Sequence, residues 1–351
     1  MARMTDREAA LHRLLQRLPT ARMLRRPTPL DELPRLSRML GGPRILMKRE
    51  DMSGLGFGGN KTRELDYFIG AAKASGADVF VAGGGAAQSN HGVQCAAAAR
   101  RAGMIPVLVL HRHRAEEVQG NYLLSHILGA DIRLVDSSSI DDAINQRMRL
   151  NQTMDDVAQE YESSGHRPWT LYSSFHPLGA AGFVDCALEL HQQLREAEIH
   201  VDRVYVTSAG ATQVGLALGS TFLEAPYPVT GFAYTATTDH SSTRMLELGR
   251  QTAELLQLEV KLEESDLASV SCGGAGYGIP TREGQEAIKI LAETEGIFLD
   301  PVYTGKGMGG LITQIRSGHI PSNETVVFVH TGGTAALFAY SQEVLTSLAE
   351  S

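Results

Sequence analysis

The sequence has few cysteines and no long hydrophobic run. Its three cysteines are Cys95, Cys186 and Cys272, and their wide spacing fits neither a metal-ligand motif nor a disulfide framework. No apolar stretch approaches the roughly 20 residues that a membrane span requires. Arginines interrupt residues 1–20, where a signal peptide would be apolar. These absences predict a protein of the reducing cytoplasm, with no metal site and no membrane segment.

Positive charge is also in the minority. Lysine and arginine number 32 against 40 aspartates and glutamates, which gives a formal net charge of −8. That balance disfavours nucleic acid or an anionic membrane as a partner. The hydrophobic share of 43% and the charged share of 21% are ordinary for a globular protein. With 351 residues, the chain is long enough for two packed domains.

Short apolar or β-branched runs alternate with longer stretches of helical periodicity. Strands are predicted at 77–84, 105–111, 130–136, 201–210, 227–236 and 324–333. Helices are predicted at 62–75, 90–103, 119–129, 139–163, 180–196, 213–223, 240–257, 281–296 and 334–349. This alternation is typical of βαβ units with a mainly parallel sheet, an α/β fold. Such sheets bind ligands beyond the carboxyl ends of their strands, so the candidate site lies in the loops that follow them.

Two of these loops lead from a strand into a helix. In VAGGGAAQSNHG (81–92) the glycines let a ligand approach the backbone. Ser89 or Asn90 can cap a helix whose free N–H groups would bind an anion such as a carboxylate. The alternative is a junction that binds nothing. In TSAGATQVG (207–215) small residues and Thr212 suit a phosphate. The lysine of a Walker loop is missing, so a cofactor monophosphate fits better than a nucleoside triphosphate.

Two glycine-rich stretches, GGAGYGIPT (273–281) and LDPVYTGKGMGG (299–310), each carry a central tyrosine. A loop tyrosine usually packs with its hydroxyl in water, but two between glycine hinges indicate loops that close over a ligand. The histidines, including His111 and His113 in HRHR, form no zinc motif. They are interpreted as surface residues, or as residues whose ring nitrogens are hydrogen-bonded within the protein.

Lys61 follows two glycines and an asparagine in GGNK (58–61). By itself it would be interpreted as an exposed residue of a first helical turn. Together with the phosphate loop, the carboxylate loop and the tyrosine loops, it predicts pyridoxal 5′-phosphate as the cofactor. That aldehyde needs a lysine for a Schiff base, a cradle for its phosphate and partners for its ring nitrogen and phenolic oxygen.

The order of these motifs resembles one family, the D-cysteine desulfhydrases and 1-aminocyclopropane-1-carboxylate deaminases. The resemblance covers most of the chain, from PTPL (27–30) to GGTAALFAY (332–340). Its motifs are KRED (48–51), GGNKTREL (58–65), QSNH (88–91), GYGIPT (276–281), DPVYTGKG (300–307) and HTGG (330–333). Membership implies fold type II, the tryptophan-synthase-β-like group of pyridoxal phosphate enzymes, with two parallel-sheet, three-layer domains and the cofactor between them.

The resemblance also implies domain limits and a role for each matching residue. The larger domain would comprise residues 1–63 and 175–351, with the smaller domain at 64–174, in a homodimer. The implied catalytic residues are Lys61, which forms the Schiff base and moves the α-proton, Ser89 at the substrate carboxylate, Tyr277 and Tyr303. The implied cofactor-binding residues are Lys61, Asn90 at the phenolic oxygen, Gly210, Ala211 and Thr212 at the phosphate, and Thr304 at the pyridine nitrogen.

Thr304 favours β-elimination from a small β-substituted amino acid. The deaminase branch has a glutamate there, which keeps the ring protonated, whereas a neutral hydroxyl gives a shallower electron sink. D-cysteine, giving pyruvate, ammonium and sulfide, is the leading candidate in amino-acid metabolism. Ser174, Phe175 and His176 depart from the desulfhydrase pattern, and HPLG (176–179) is closer to the deaminases. Three alternatives therefore stay open: a 1-aminocyclopropane-1-carboxylate deaminase, a lyase for another leaving group such as that of cysteate, and a non-catalytic pyridoxal phosphate-binding protein.

Overall fold

A computed structural model describes residues 4–136, 143–208, 210–234 and 239–350. Its strands are β1 (Leu30–Glu32), β2 (Arg44–Lys48), β3 (Val79–Ala86), β4 (Ile105–His111), β5 (Asp131–Val135), β6 (Pro168–Leu171), β7 (Arg203–Val206), β8 (Val229–Ala233), β9 (Ser269–Ser271) and β10 (Thr325–Val329). They form a six-stranded sheet in the order β1-β2-β10-β7-β8-β9 and a four-stranded sheet in the order β5-β4-β3-β6. Only β1 and β2 pair antiparallel among these strands, which confirms the predicted parallel α/β class.

Helices connect the strands and cover both sheets. They are α1 (Asp6–Leu15), α2 (Pro34–Leu40), α3 (Lys61–Ala74), α4 (Asn90–Arg101), α5 (Gly120–Ile127), α6 (Ala143–Ser163), α7 (Pro177–Glu196), α8 (Ala211–Phe222), α9 (Asp239–Leu256), α10 (Arg282–Glu295), α11 (Thr304–Arg316) and α12 (Ser341–Glu350). Short 3-10 helices occupy Glu50–Met52, Glu264–Leu267 and Thr334–Tyr340.

Apolar side chains alternate across each sheet, because successive residues of a strand point to opposite faces. In β10, Val327 and Val329 pack with α7, α8 and α9, whereas Val326 and Phe328 pack with α10 and α11. In the smaller sheet the same alternation divides β3 and β4 between a face covered by α3 and α4 and a face covered by α6. Each sheet is therefore the middle of three layers, as predicted.

The predicted strands agree with β3, β4, β5, β7, β8 and β10, apart from shifts at their ends; residues 235–236 lie outside the described part of the chain. The sequence interpretation missed β1, β2, β6 and β9. Each of these has only three to five residues, too few to show a clear period.

Two helical interpretations need correction, and α1 and α2 were missed. The stretch 299–310 is wrong as a continuous loop, because α11 begins at Thr304 and Gly309 packs directly on the backbone of Glu283. The predicted helix 334–349 is a 3-10 helix up to Tyr340 and an α-helix only from Ser341. Residues 139–142 of another predicted helix lie outside the described ranges.

Strands β3 to β6 fall within residues 64–174, and the other described strands fall outside that range. The predicted domain limits themselves stay a prediction, and the first would divide α3. In the ranges that the structure describes, no helix is both long and apolar enough to cross a membrane. No three metal-ligating side chains come together in these ranges.

Candidate active site

A cavity of about 690 Å³ lies where the strand ends of both sheets meet. From the smaller sheet it is lined by the end of β3 and by His111 and His113 at the end of β4. From the larger sheet it is lined by the loop after β7, by Tyr234 after β8, and by Thr331 and Gly332 after β10. This is the edge at which parallel sheets bind ligands.

Most of the site residues predicted from the sequence come together on the wall of this cavity. Lys61, Ser89, Asn90, Gly210, Ala211, Thr212, Tyr277 and Tyr303 all line the cavity. Thr304 does not. It is fully buried at the start of α11, where its hydroxyl donates to Asp300 Oδ1 at 2.7 Å and accepts from the Asp300 N–H at 2.9 Å.

Lys61 begins α3, and glycine is required just before it. Gly59 has a φ of +133°, and a Cβ there would lie 2.6 Å from the Asn90 amide nitrogen, so a side chain would be both strained and displaced. The Lys61 Nζ lies 2.9 and 3.1 Å from the two carboxylate oxygens of Glu64 and 3.3 Å from Ser174 Oγ. The GGN turn thus brings a primary amine into the cavity beside a carboxylate.

One end of the cavity suits a phosphate. The first turn of α8 starts at Ala211, and the free N–H groups and positive dipole end of such a turn favour an anion. Asn60 Nδ2 donates to Thr212 Oγ1 at 3.0 Å, which holds that hydroxyl at the cavity wall. Thr207 Oγ1, also at this wall, is buried without a partner among the described residues. The Thr207 hydroxyl and the start of α8 can both donate hydrogen bonds to a ligand rich in acceptor oxygens, such as a phosphate.

The turn between β3 and α4 forms another part of the wall. Gly85 has a φ of +77°, and a Cβ there would lie 2.5 Å from Ser89 Oγ, so any side chain would displace that hydroxyl. Ser89 is the N-cap residue of α4, as predicted, but its side chain makes no capping hydrogen bond. That geometry leaves the Ser89 hydroxyl available beside a helix N-terminus, which suits a carboxylate.

Three tyrosines cluster over the cavity. The hydroxyls of Tyr277 and Tyr303 lie 2.6 Å apart, and the ring of Tyr234 meets that of Tyr303 edge-on at 4.9 Å. Burial raises the pKa of both Tyr277 and Tyr303 above that of free tyrosine. Both phenols are therefore neutral at neutral pH, and the pair can donate a proton or a hydrogen bond to a ligand.

The sequence interpretation missed several residues at the cavity. His111 and His113 line it, and His113 is also exposed, as expected for a surface histidine. Tyr234 and Arg147 line it as well, and so do Asn60, Thr207, Ser208 and Ser174, which lie in stretches singled out from the sequence but had no role assigned there. The signal for the two histidines was their place at the carboxyl end of a predicted parallel strand, His111 as its last residue and His113 just after it. Burial lowers the pKa of a third lining histidine, His91, to about 3, so that its imidazole is neutral.

Lys48 and Lys306, which are more deeply buried than Lys61, bind groups outside the cavity. Lys306 Nζ donates to the carbonyl oxygens of Gly273 and Gly276, each at 2.8 Å. Lys48 Nζ contacts Glu189 Oε1 at 2.6 Å. Among the described residues, Lys61 is the one lysine that lines the cavity.

Comparisons with known proteins agree with this geometry. The family described as pyridoxal-phosphate dependent enzyme matches residues 21–332. A 1-aminocyclopropane-1-carboxylate deaminase of Ralstonia pickettii is 39% identical over 93% of this chain and 98% of its own length. One of Methylobacterium nodulans is 38% identical over 90% of this chain and 94% of its own.

Solved structures give the same result. A crystal structure of a homologue of 1-aminocyclopropane-1-carboxylate deaminase has a TM-score of 0.86 and 31% identity, and covers 98% of this chain and 100% of that one. The processed form of threonine deaminase isoform 2 from Solanum lycopersicum shares the fold, with a TM-score of 0.65 and 16% identity over 100% of this chain and 91% of that one. The chain therefore belongs to the pyridoxal-phosphate-dependent enzyme family, with the fold type II architecture, and its cofactor is pyridoxal 5′-phosphate.

Proposed function

We propose that this protein is a lyase that eliminates the β-substituent of a small amino acid, with D-cysteine as the leading substrate. The observation that carries the proposal is that no aspartate or glutamate is among the described residues that line the cavity. Glu64, which contacts Lys61, is buried and does not line it. Thr304 is buried behind the cavity wall, where its hydroxyl donates to Asp300, so it puts no formal negative charge into the cavity. A ring nitrogen without a carboxylate partner suits a reaction in which a good leaving group departs at once.

Bound pyridoxal phosphate supplies the electron sink that acidifies the α-carbon of an amino acid. In the proposal, Lys61 holds the cofactor covalently and its Nζ then takes the α-proton. Asn90 donates to the phenolic oxygen and the Ser89 hydroxyl binds the substrate carboxylate. Gly210, Ala211 and Thr212 bind the phosphate at the start of α8.

The tyrosine pair lies close to the Ser89 turn. The Tyr277 hydroxyl lies 3.9 Å from where a Cβ of Gly85 would be, and Gly85 in turn contacts Ser89. In the proposal the two phenols protonate the leaving group, because both are neutral and hydrogen-bonded to one another. The α-C–H and Cβ–S bonds break, hydrogen sulfide departs, and the released aminoacrylate hydrolyses to pyruvate and ammonium.

A ring-opening deaminase is the second candidate. It is supported by the names of the relatives, which are 1-aminocyclopropane-1-carboxylate deaminases at 37 to 40% identity, and by HPLG (176–179). His176 caps α7, its ring nitrogen accepting from the Leu178 N–H at 3.1 Å. The neighbouring Ser174 and Phe175 line the cavity, so this departure from the desulfhydrase pattern lies where the substrate would bind.

An anionic leaving group, such as the sulfonate of cysteate, is favoured by different residues. Arg147 and His113 line the cavity, and His113 lies against Gly278, next to Tyr277. These cationic or protonatable groups could pair with a negative β-substituent. A homodimeric assembly and a cytoplasmic location remain predictions from the sequence.

One substrate panel tests the proposal. Steady-state kinetics on D-cysteine, L-cysteine, cysteate and 1-aminocyclopropane-1-carboxylate use a single holoenzyme preparation, with pyruvate and 2-oxobutyrate measured separately. We expect the largest kcat/KM for D-cysteine, with pyruvate and sulfide as products. If the cyclopropane acid is the best substrate and yields 2-oxobutyrate, the inference from Thr304 is wrong. Best turnover of cysteate would favour the anionic alternative, and cofactor binding without any turnover would favour a non-catalytic binding protein.

A further inference from the structure

Glu64 is a buried carboxylate in direct contact with the candidate reactive amine. It lies one turn after Lys61 on α3, with its side chain 1% exposed, and both of its oxygens are within 3.1 Å of Lys61 Nζ. Glu64 stands in the GGNKTREL motif (58–65), but the family resemblance implies no role for it. Because it contacts Lys61, Glu64 interacts directly with any charge on Lys61 Nζ.

A purely structural ion pair does not account for this placement. The pair is not exposed, and burying a carboxylate carries a large desolvation cost that attraction to a single lysine often does not offset. Burial raises the pKa of Glu64, although Lys61 and the Thr212 hydroxyl oppose that rise. The carboxyl group therefore accepts a proton more readily than an exposed glutamate does.

The other titratable groups around this pair are neutral. From α4, His91 has a pKa lowered to about 3 by burial and by Lys61, while burial raises the pKa of Cys95. From the end of β8, Tyr234 also has a pKa raised by burial. Lys61 is thus the cation that faces Glu64 within the described residues, and a proton shared by the two has no competing partner nearby.

We propose that Glu64 is the proton partner of Lys61, a positioning residue that sets the charge on its nitrogen. This inference rests on the proposed covalent attachment of the cofactor to Lys61. An ammonium group cannot attack an aldehyde, so the proton passes from Nζ to a Glu64 oxygen, leaving a neutral amine and a neutral carboxyl. The same proton returns to nitrogen when the amine has reacted, and the Glu64 carboxylate then stabilises the charge.

The test compares three holoenzymes: wild type, Glu64→Gln and Ser174→Ala. The last variant removes a neutral contact with the same Nζ. The readout is the absorbance of the bound cofactor as a function of pH, which reports the proton on the linking nitrogen. An opposite charge within about 4–6 Å shifts a pKa by roughly 1–3 units. We therefore expect the midpoint to fall by about 1–3 pH units in Glu64→Gln and to stay near the wild-type value in Ser174→Ala.

A Glu64→Gln midpoint that matches that of Ser174→Ala would overturn the inference. If Glu64→Gln does not fold, Glu64→Asp keeps the charge on a shorter side chain. Its midpoint should lie below the wild-type value, because the carboxylate is farther from Nζ; an unchanged midpoint would count against the inference. Cofactor attached to a lysine other than Lys61 would overturn the proposed site itself, which peptide mapping of the same samples distinguishes.

Discussion

At the scale of single residues, the site depends on pairs of side chains brought together from distant segments. Asn60 precedes Lys61, yet its amide donates to Thr212 at the start of α8. This contact couples the lysine turn to the end of the cavity where we propose that the phosphate binds. Thr212 itself is 2% exposed and lines the cavity, so its hydroxyl is available to a bound group as well as to its protein neighbours.

We expect Thr212→Val to weaken cofactor binding. The change removes one hydrogen bond to a charged phosphate, worth roughly 1.5–3 kcal/mol, so the Kd should rise about tenfold to a hundredfold. Thr221→Val is the matched control, because its hydroxyl donates to the Ala217 carbonyl on the same helix and is absent from the cavity wall. Equilibrium titration of apoenzyme with cofactor measures both variants, and an unchanged Kd for Thr212→Val would mean that the phosphate binds elsewhere.

At the scale of elements, the sequence predicted the long periodic helices and the glycine-flanked loops better than the short strands. The βα junctions before α4 and α8 were predictable because glycine and capping residues mark them locally. α11 was not, since its glycines resemble a loop and its packing against α10 and the larger sheet is visible only in the fold. Glu64 and Arg147 could not be assigned from the sequence either, because their roles depend on which face of a helix meets the cavity.

The position of α8 should depend on its close packing against α7. A Cβ on Gly215 would lie 2.2 Å from the Ala180 carbonyl oxygen, a backbone atom that cannot move independently. We expect Gly215→Ala to lower the free energy of unfolding by about 1–3 kcal/mol, the usual cost of overpacking. It should also weaken cofactor binding, because α8 must shift at its N-terminus.

Gly249→Ala on α9 is the control for that prediction. The nearest atom to its new Cβ would be the end of the flexible Leu262 side chain at 3.0 Å, which can give way. Urea unfolding and cofactor titration of both variants make the comparison. If Gly215→Ala is as stable as wild type, the close approach of α7 and α8 is not what positions the phosphate end.

At the scale of the whole molecule, a buried ion cluster connects segments that are far apart in the chain. Glu189 on α7 accepts from Lys48 on β2 at 2.6 Å and from Arg63 on α3 at 2.7 Å. Arg63 also contacts Glu50 at 2.7 Å. Arg63 is two residues from Lys61, so the helix that carries Lys61 is anchored through this cluster to the larger sheet.

Glu189→Gln should destabilise the protein strongly. Breaking a buried ion pair by removing one partner typically costs about 3–5 kcal/mol, and here Lys48 and Arg63 would lose their shared carboxylate. Glu247→Gln is the control, since Glu247 is 49% exposed in its pair with Arg250 and should change stability by less than about 1 kcal/mol. Urea unfolding at neutral pH measures both, and equal stabilities would contradict the role of the cluster.

The same carboxylate predicts a pH dependence. Burial opposes ionisation, but Arg63 and Lys48 outweigh it and hold the pKa of Glu189 at about 2, below the usual 4.5. Because the pKa is lower in the folded state, its contribution is fully present above about pH 4.5 and is lost as the pH falls towards 2. We expect the wild type to lose stability over that window more steeply than Glu189→Gln does, as measured by urea unfolding at successive pH values.

The central claim is that Lys61 carries the cofactor, and one measurement tests it most directly. Borohydride reduction of the purified yellow holoenzyme fixes pyridoxal phosphate to its lysine, and peptide mapping by mass spectrometry then identifies that residue. The account predicts a single adduct on Lys61, the lysine of the described cavity wall, and none in Lys61→Ala, which should also lose all turnover. An adduct on Lys306 or Lys48, or a wild-type protein that binds no cofactor, would contradict the account.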